Sequence, residues 1–152
     1  MFKTFRDLLS SLTAAPAAEG PDPGALQLAC AVLLVEVMRA DPQTAAPERE
    51  SVLRALRQRF PLGEQALDEL VAMAEQASRS AGSFHQFTTE LNEQLPQPEK
   101  VQIVETLWQV AYADGRLDAH ENHVISRIAG LLHVTHGEYI AAKLHAKQAA
   151  GL

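Results

Sequence analysis

One pattern occurs twice along this chain, and it restricts the folds that the chain can adopt. An apolar run ends in Ala-Asp at residues 40–41, and a second run ends in Ala-Asp at residues 113–114. A short turn follows each run, and a glutamate, Glu48 or Glu121, stands seven residues after the aspartate. Runs that are apolar almost all round are typical of buried helices. The pattern therefore predicts two helix-turn-helix units of one design, as a pseudo-symmetric pair rather than a solenoid.

The composition favours a single all-helical domain. The chain has 152 residues, of which 47% are apolar and 5% aromatic, and this length is sufficient to bury a core without disulfides or a metal. Ala, Leu and Gln, which are good helix formers, are plentiful, and no segment alternates apolar and polar residues as a half-buried strand does. Helical spacing, interrupted by proline and glycine, predicts helices over residues 25–40, 47–60, 64–80, 83–95, 99–113, 118–132 and 135–147.

The first 24 residues differ from the rest of the chain. Residues 2–12 place five apolar side chains on one helical stripe, whereas residues 13–24 are rich in Ala, Pro and Gly and have no periodicity. We expect a short amphipathic helix and a linker over residues 1–24, followed by a helical domain over residues 25–152, with seven or eight helices in all. We favour packing of the amphipathic helix on the domain or on a partner protein. Peripheral contact with a membrane is the weaker interpretation, because the helix carries few charges.

Charge and cysteine content argue against several classes of protein. The formal net charge of -6 disfavours a nucleic-acid partner, because binding to phosphates requires clustered basic residues, and it favours a cation or another protein as the partner. The single cysteine, Cys30, lies in an apolar run and is expected to be buried and structural. The longest uninterrupted apolar run, residues 28–35, is too short to span a bilayer. Because the first residues also lack the pattern of a secretory signal, we expect a cytoplasmic protein without an integral membrane segment.

The sequence contains none of the common catalytic motifs. A G-x-S-x-G elbow, a P-loop, a dinucleotide-binding glycine motif and an H-E-x-x-H zinc motif are all missing. Paired carboxylates are able to act as acid and base, but metal-assisted hydrolysis is the least favoured of the functions considered. We expect a protein that is not an enzyme.

The carboxylates at the two turns have a structural explanation and a functional one. Asp118 and Glu121 have the spacing of a capping box, in which each side chain bonds a backbone N–H at the start of a helix. Glu48 suits the first turn of a helix, where the helix dipole favours a negative charge. Asp41 and Asp114 are not explained in this way, because each ends an apolar helix, where that dipole disfavours an anion. A neighbouring helix N-terminus, an arginine or a divalent cation would each compensate them, and oxygen ligands suit Ca²⁺ or Mg²⁺ better than Zn²⁺.

Two further groups of polar residues leave alternatives open. His120 and His123, three residues apart on one predicted helix, are compatible with a zinc site, but the apolar spacing around Ile125 places them on the solvated face. Glu36 lies inside the first apolar helix. It either pairs with Arg39 one turn later, lies at the edge of the helix, or adds to the acidic cluster of the turns.

A longer motif around the second turn resembles the TerB-like family. The motif reads Val110-Ala111-Tyr112-Ala113-Asp114-Gly115-x-Leu117-Asp118-x-x-Glu121, followed by Ile125-x-x-Ile128-Ala129-x-Leu131-Leu132, and residues 34–41 resemble the matching segment of the first unit. This family includes tellurite-resistance TerB proteins and the amino-terminal domain of DjlA-type co-chaperones. The resemblance covers roughly residues 25–147, and it departs from the family pattern at Pro42, which stands where a glycine is expected.

The resemblance carries expectations about fold and function. It implies an all-α fold with internal pseudo-symmetry, no established enzymatic activity, and acidic surface residues that bind a divalent cation. A role in a tellurite-type stress response is one expectation, and a protein-protein interaction module of the co-chaperone type, without a metal, is the alternative. The metal ligands that it implies are Asp41, Glu48, Asp114 and Glu121, with Glu36 and Asp118 as candidate contributors.

Overall fold

A computed structural model describes residues 23–40, 46–80, 84–113 and 117–152 of the chain. Within these ranges the chain forms seven α-helices and no strands, so the prediction of an all-α protein is confirmed. The predicted helix over residues 2–12 and most of the predicted linker lie outside the described residues. The helices are α1 (Pro23–Ala40), α2 (Ala46–Arg59), α3 (Glu64–Ser80), α4 (His85–Gln94), α5 (Gln97–Ala111), α6 (Ala119–Leu131) and α7 (His136–Ala149).

Every described helix begins and ends within two residues of its predicted bounds, and α3 matches them at both ends. The helix α1 starts at Pro23, two residues earlier than predicted, so Pro23 and Gly24 belong to the helix and not to the linker. Proline suits the first position of a helix, because the N–H that it lacks has no partner within the helix there.

Helix α1 is the centre of the fold. It packs against α2, α3, α4, α5 and α6, and all eight residues from Leu28 to Val35 are buried. A helix that is enclosed on all sides needs apolar side chains around its whole circumference, which explains why no polar stripe interrupts this run.

Helix α5 takes the corresponding position in the second half of the chain. It packs against α1, α2, α6 and α7, while α1 in turn packs against α6. The helix that follows each turn, α2 or α6, therefore contacts the central helix of the other half as well as its own. This reciprocal packing agrees with the pseudo-symmetry predicted from the repeated pattern.

Hydrogen bonds from polar side chains connect the turn between α6 and α7 to the rest of the domain. Asn92 Nδ2 donates to the carbonyl of Leu131 at 2.8 Å, and Lys100, which is buried, donates to Asn92 Oδ1 at 3.1 Å. Gln97 Nε2 donates to the carbonyl of His133 at 3.1 Å and to Glu138 Oε1 at 2.9 Å. These bonds link α4 and α5 to a turn that contains a positive φ of 60° at His133, and they hold α7 against α5.

Candidate metal centre

The structure describes four of the six residues predicted to form the cation site. Asp41 and Asp114 lie outside the described residues, as does the glycine that follows Asp114. The four that are described are Glu36 on α1, Glu48 on α2, and Asp118 and Glu121 at the start of α6.

Asp118 and Glu121 form the predicted capping box. Asp118 Oδ1 accepts a hydrogen bond from the backbone N–H of His120 at 2.7 Å, and Glu121 Oε1 accepts one from the backbone N–H of Asp118 at 3.1 Å. The bond from the His120 backbone lowers the pKa of Asp118 below its usual value, partial burial opposes this shift, and the His120 imidazole supports it. Each carboxylate therefore has a structural role at the start of α6, whether or not an ion binds.

Glu48 and Glu121 are both fully buried, each with no exposed surface. This finding corrects the expectation that they lie on an acidic surface. Removing a carboxylate from water is costly unless nearby groups compensate its charge. Two residues at equivalent positions of the repeat thus share an unusual environment for glutamate, since glutamate is almost never fully buried unless it is paired.

Helical spacing explains the burial. Glu48 precedes the buried Val52 by four residues, and Glu121 precedes the buried Ile125 by four, and residues four apart lie on one face of a helix. Each glutamate is therefore the first residue of the stripe that its helix turns toward the core. This signal was present in the sequence, because Ile125 aligns with Val52 when the two copies of the pattern are superposed.

Glu36 is engaged in a different contact from those predicted. The hydroxyl of Ser78 on α3 donates to Glu36 Oε1 at 2.5 Å and accepts from Arg39 Nη1 at 2.5 Å. The serine therefore bridges Glu36 and Arg39, whose direct pairing was one of the alternatives left open by the sequence, and it joins α1 to α3. Sequence reasoning missed Ser78, because no local pattern relates residues 42 positions apart.

The histidines proposed for the zinc alternative lie on the solvated side of α6, as the spacing indicated. His120 and His123 are exposed, and His120 Nδ1 lies 3.2 Å from Asp118 Oδ1. Within residues 23–40, 46–80, 84–113 and 117–152, no three His, Cys, Asp or Glu side chains are grouped closely enough to hold a metal ion. Two of the four main predicted ligands, Asp41 and Asp114, lie outside these ranges.

A cleft of about 430 Å³ lies beside the second turn. It opens between α2, the carboxyl end of α5 and the carboxyl end of α7, and Ala113, which directly precedes Asp114, is part of its wall. The cleft is therefore close in sequence to the predicted cation site, although its own lining is mostly uncharged.

Comparison with protein-family models gives one match. The model of the family described as tellurite resistance protein TerB matches residues 27–144, from α1 into α7. The chain belongs to the TerB family. Neither a curated protein nor a solved structure gives a significant match to this chain.

The TerB match includes both helix-turn-helix units and all of the predicted metal ligands, and it leaves residues 1–26 and 145–152 outside. It agrees with the seven described helices and with the resemblance seen in the motif around Asp114. In the part of this TerB-family chain that the structure describes, no helix is long and apolar enough to cross a membrane.

Proposed function

We propose that this TerB-family protein binds a divalent cation without catalysing a reaction, and that the ion is held where the two helix-turn-helix units meet. One observation supports the proposal. Glu48 and Glu121, at equivalent positions of the repeat, are both fully buried at the start of the core stripe. The ligands proposed are Asp41, Glu48, Asp114 and Glu121.

The chemistry of these groups favours a hard cation. Carboxylate oxygens are the preferred ligands of Ca²⁺ and Mg²⁺, and thiolate or imidazole ligands, which favour zinc, are not among the four. Two carboxylates about 5 Å apart repel each other by roughly 3 kcal/mol at an effective dielectric constant near 20. A divalent ion converts such repulsion into attraction, so binding would tie the two units together.

The biological setting proposed comes from the family. Its description as a tellurite resistance protein supports a role in a stress response of that type. In this proposal the hydrophobic core maintains the fold, and the ion changes the charge and the rigidity of the two turns. A partner protein then recognises the altered charge and rigidity of the turns.

Isothermal titration calorimetry on the whole chain tests the proposal. We expect Ca²⁺ or Mg²⁺ to release or absorb heat with saturation, and we expect Asp114→Asn combined with Glu121→Gln to abolish the effect. Glu48→Gln is expected to weaken binding as well. Titrations with Mn²⁺ and Zn²⁺ establish which ion the site prefers.

Glu138→Gln is the matched control. Glu138 is the third residue of the capping box of α7, where it accepts from the backbone N–H of Thr135 at 2.9 Å, and it therefore has the same structural role as Glu121 outside the repeated pattern. Glutamine preserves a capping box, so both substitutions remove a charge and keep the cap. If no ion binds the wild type, or if Glu138→Gln weakens binding as much as Glu121→Gln does, the proposed site is wrong. Binding lost only when His120 or His123 is replaced would show a zinc site instead.

A protein-interaction module without a metal is the second candidate, and one observation favours it. Ile140 and Leu144 lie one turn apart on α7 and are 36% and 54% exposed. These two side chains offer an apolar contact to another protein on one face of the helix. This candidate predicts no ion binding in the calorimeter and a concentration-dependent or partner-dependent burial of Leu144, measured by hydrogen exchange of α7.

A further inference from the structure

The cleft between α2, α5 and α7 is lined about equally by polar and apolar surface, and five of its six apolar residues are alanines. Its volume of about 430 Å³ lies in the range of clefts that hold ligands. Alanine side chains leave room that larger residues would fill, so the floor accepts bulky apolar groups from outside. The apolar residues of this alanine floor are Ala55, Tyr112, Ala113, Ala146, Ala149 and Ala150, and the polar residues of the lining are Glu50, Ser51, Arg54, Gln58 and Gln109.

The electrostatic character of the cleft favours a positively charged ligand or peptide segment. Helices α5 and α7 both end at the cleft, as shown by the presence of Ala113, Ala149 and Ala150 in its wall. The carboxyl end of a helix carries a partial negative charge, and Glu50 at the rim adds a full one. Arg54, four residues later on α2, also lines the cleft and offers one site for a carboxylate.

Residues 2–12 of the same chain have the matching chemistry. Their apolar side chains recur at helical spacing, and the basic residues Lys3 and Arg6 accompany a single acidic residue, Asp7. The first twelve residues thus carry more positive than negative charge, whereas the rest of the chain has eleven basic and eighteen acidic side chains. The apolar stripe consists of Phe2, Phe5, Leu8, Leu9 and Leu12.

The connection is long enough for this segment to reach the cleft. Ten residues, 13–22, separate it from the start of α1 at Pro23. An extended chain rich in proline covers about 3.1 Å per residue, which gives a reach of about 30 Å. A domain of this size has a radius of gyration of about 14 Å, so the segment is able to reach faces well away from Pro23.

We propose that residues 2–12 dock as an amphipathic helix into the cleft between α2, α5 and α7 of the same molecule, with their apolar stripe on the alanine floor. Arg6, beside the stripe, then lies at the rim of the cleft, near the carboxyl ends of α5 and α7 and near Glu50. Lys3 and Asp7 lie on the opposite, solvent-facing side of the docked helix, with Ser10. The docked segment covers the wall that ends at Ala113. Docking requires no ion, and it is independent of the proposed cation site.

The exposed face of α7 is a less suitable receptor. Ile140 and Leu144 offer apolar surface there, but the exposed Lys147 lies one turn after Leu144. Lys147 has the same charge as Lys3 and Arg6 and would repel them. The cleft combines apolar contact with the partial negative charge of two helix ends, while its two charged side chains, Glu50 and Arg54, balance each other, so it is the favoured site.

Paramagnetic relaxation in the whole chain tests the docking. A nitroxide label is attached at Ser10→Cys, on the polar side of the segment, in a Cys30→Ala background that removes the natural thiol. We expect the label to broaden the amide signals of Ala113, Ala149 and Ala150. We expect Phe5→Asn combined with Leu9→Asn to restore those signals, while Thr4→Asn combined with Ser11→Asn, outside the apolar stripe, leaves them broadened.

A variant of the cleft completes the test. Ala149 lines the cleft and is exposed to solvent rather than part of the core. We therefore expect Ala149→Trp to fill the cleft without disturbing the core and to abolish the broadening. Gln148→Trp, at the neighbouring exposed position, is the control and should preserve it. Broadening around Ile140 and Leu144, or no broadening at all, overturns the proposal. Broadening that disappears when labelled protein is diluted with unlabelled protein places the segment on a second copy and overturns docking within one molecule.

Discussion

The replacement of Ile125 by alanine tests the packing on which the site argument depends. Ile125 has no exposed surface and lies one helical turn after Glu121, on the stripe that α6 turns toward the core. If this stripe is buried as the structure shows, Ile125→Ala leaves a cavity in the core. If α6 were rotated, both Ile125 and Glu121 would move toward solvent together.

The expected loss of stability follows from the burial of the side chain. Truncating a fully buried isoleucine to alanine costs about 2–5 kcal/mol in the free energy of unfolding, and we expect about 3 kcal/mol at this site. A domain of about 130 residues loses roughly 0.27 kcal/mol of stability per degree near its melting temperature. The melting temperature should therefore fall by about 11 °C.

Urea unfolding followed by circular dichroism measures this loss, and Leu144→Ala provides the comparison. Leu144 is 54% exposed, so its truncation should change the free energy of unfolding by no more than about 0.5 kcal/mol. The slope of the unfolding free energy against urea concentration should be the same in wild type, Ile125→Ala and Leu144→Ala, since it reflects the surface exposed on unfolding. Equal costs for the two alanine variants would refute the orientation of α6 and, with it, the burial of Glu121.

Three further results are expected. The thiol of Cys30 should react with a disulfide reagent at pH 8 only after denaturant is added, because burial raises its pKa to about 11; fast reaction in native buffer would contradict this. Ser78→Ala should lower the free energy of unfolding by about 1.5 kcal/mol, since it removes hydrogen bonds to two charged side chains, and a neutral effect by urea unfolding would show that the bridge to Glu36 contributes nothing. The pKa of Asp118 is lowered in the fold, so its contribution to stability is present above the ordinary carboxyl pKa and disappears as the pH falls through the lowered value. Melting temperatures of wild type and Asp118→Ala should therefore differ at pH 7 and converge at pH 2, whereas a constant difference would show that the charge is irrelevant.

The helices were predictable because their signals are local. Proline and glycine mark the ends of helices, and the capping boxes Asp118-x-x-Glu121 and Thr135-x-x-Glu138 mark two starts to within a residue. Each of these signals depends on atoms only a few residues apart, so a single sequence contains all the information that is needed.

The polar contacts between helices were not predictable in the same way. Ser78 joins Glu36 and Arg39 across 42 and 39 positions, and the buried Lys100 donates a hydrogen bond to Asn92 on another helix. These partners are brought together by the packing of whole helices, which leaves no regular spacing in the sequence. The predicted convergence of Asp41 and Asp114 belongs to the same class of contact and stays a prediction.

The two buried glutamates allow a paired test of ion binding. Glu121 bonds the backbone N–H of Asp118, and glutamine is able to make the same bond. Glu48 lies at the start of the equivalent helix and is as fully buried as Glu121. Glu48→Gln and Glu121→Gln therefore each remove one charge and keep a side-chain oxygen. If one ion is bound between the two units, both substitutions should weaken its binding, whereas a loss at only one of them would contradict a shared site.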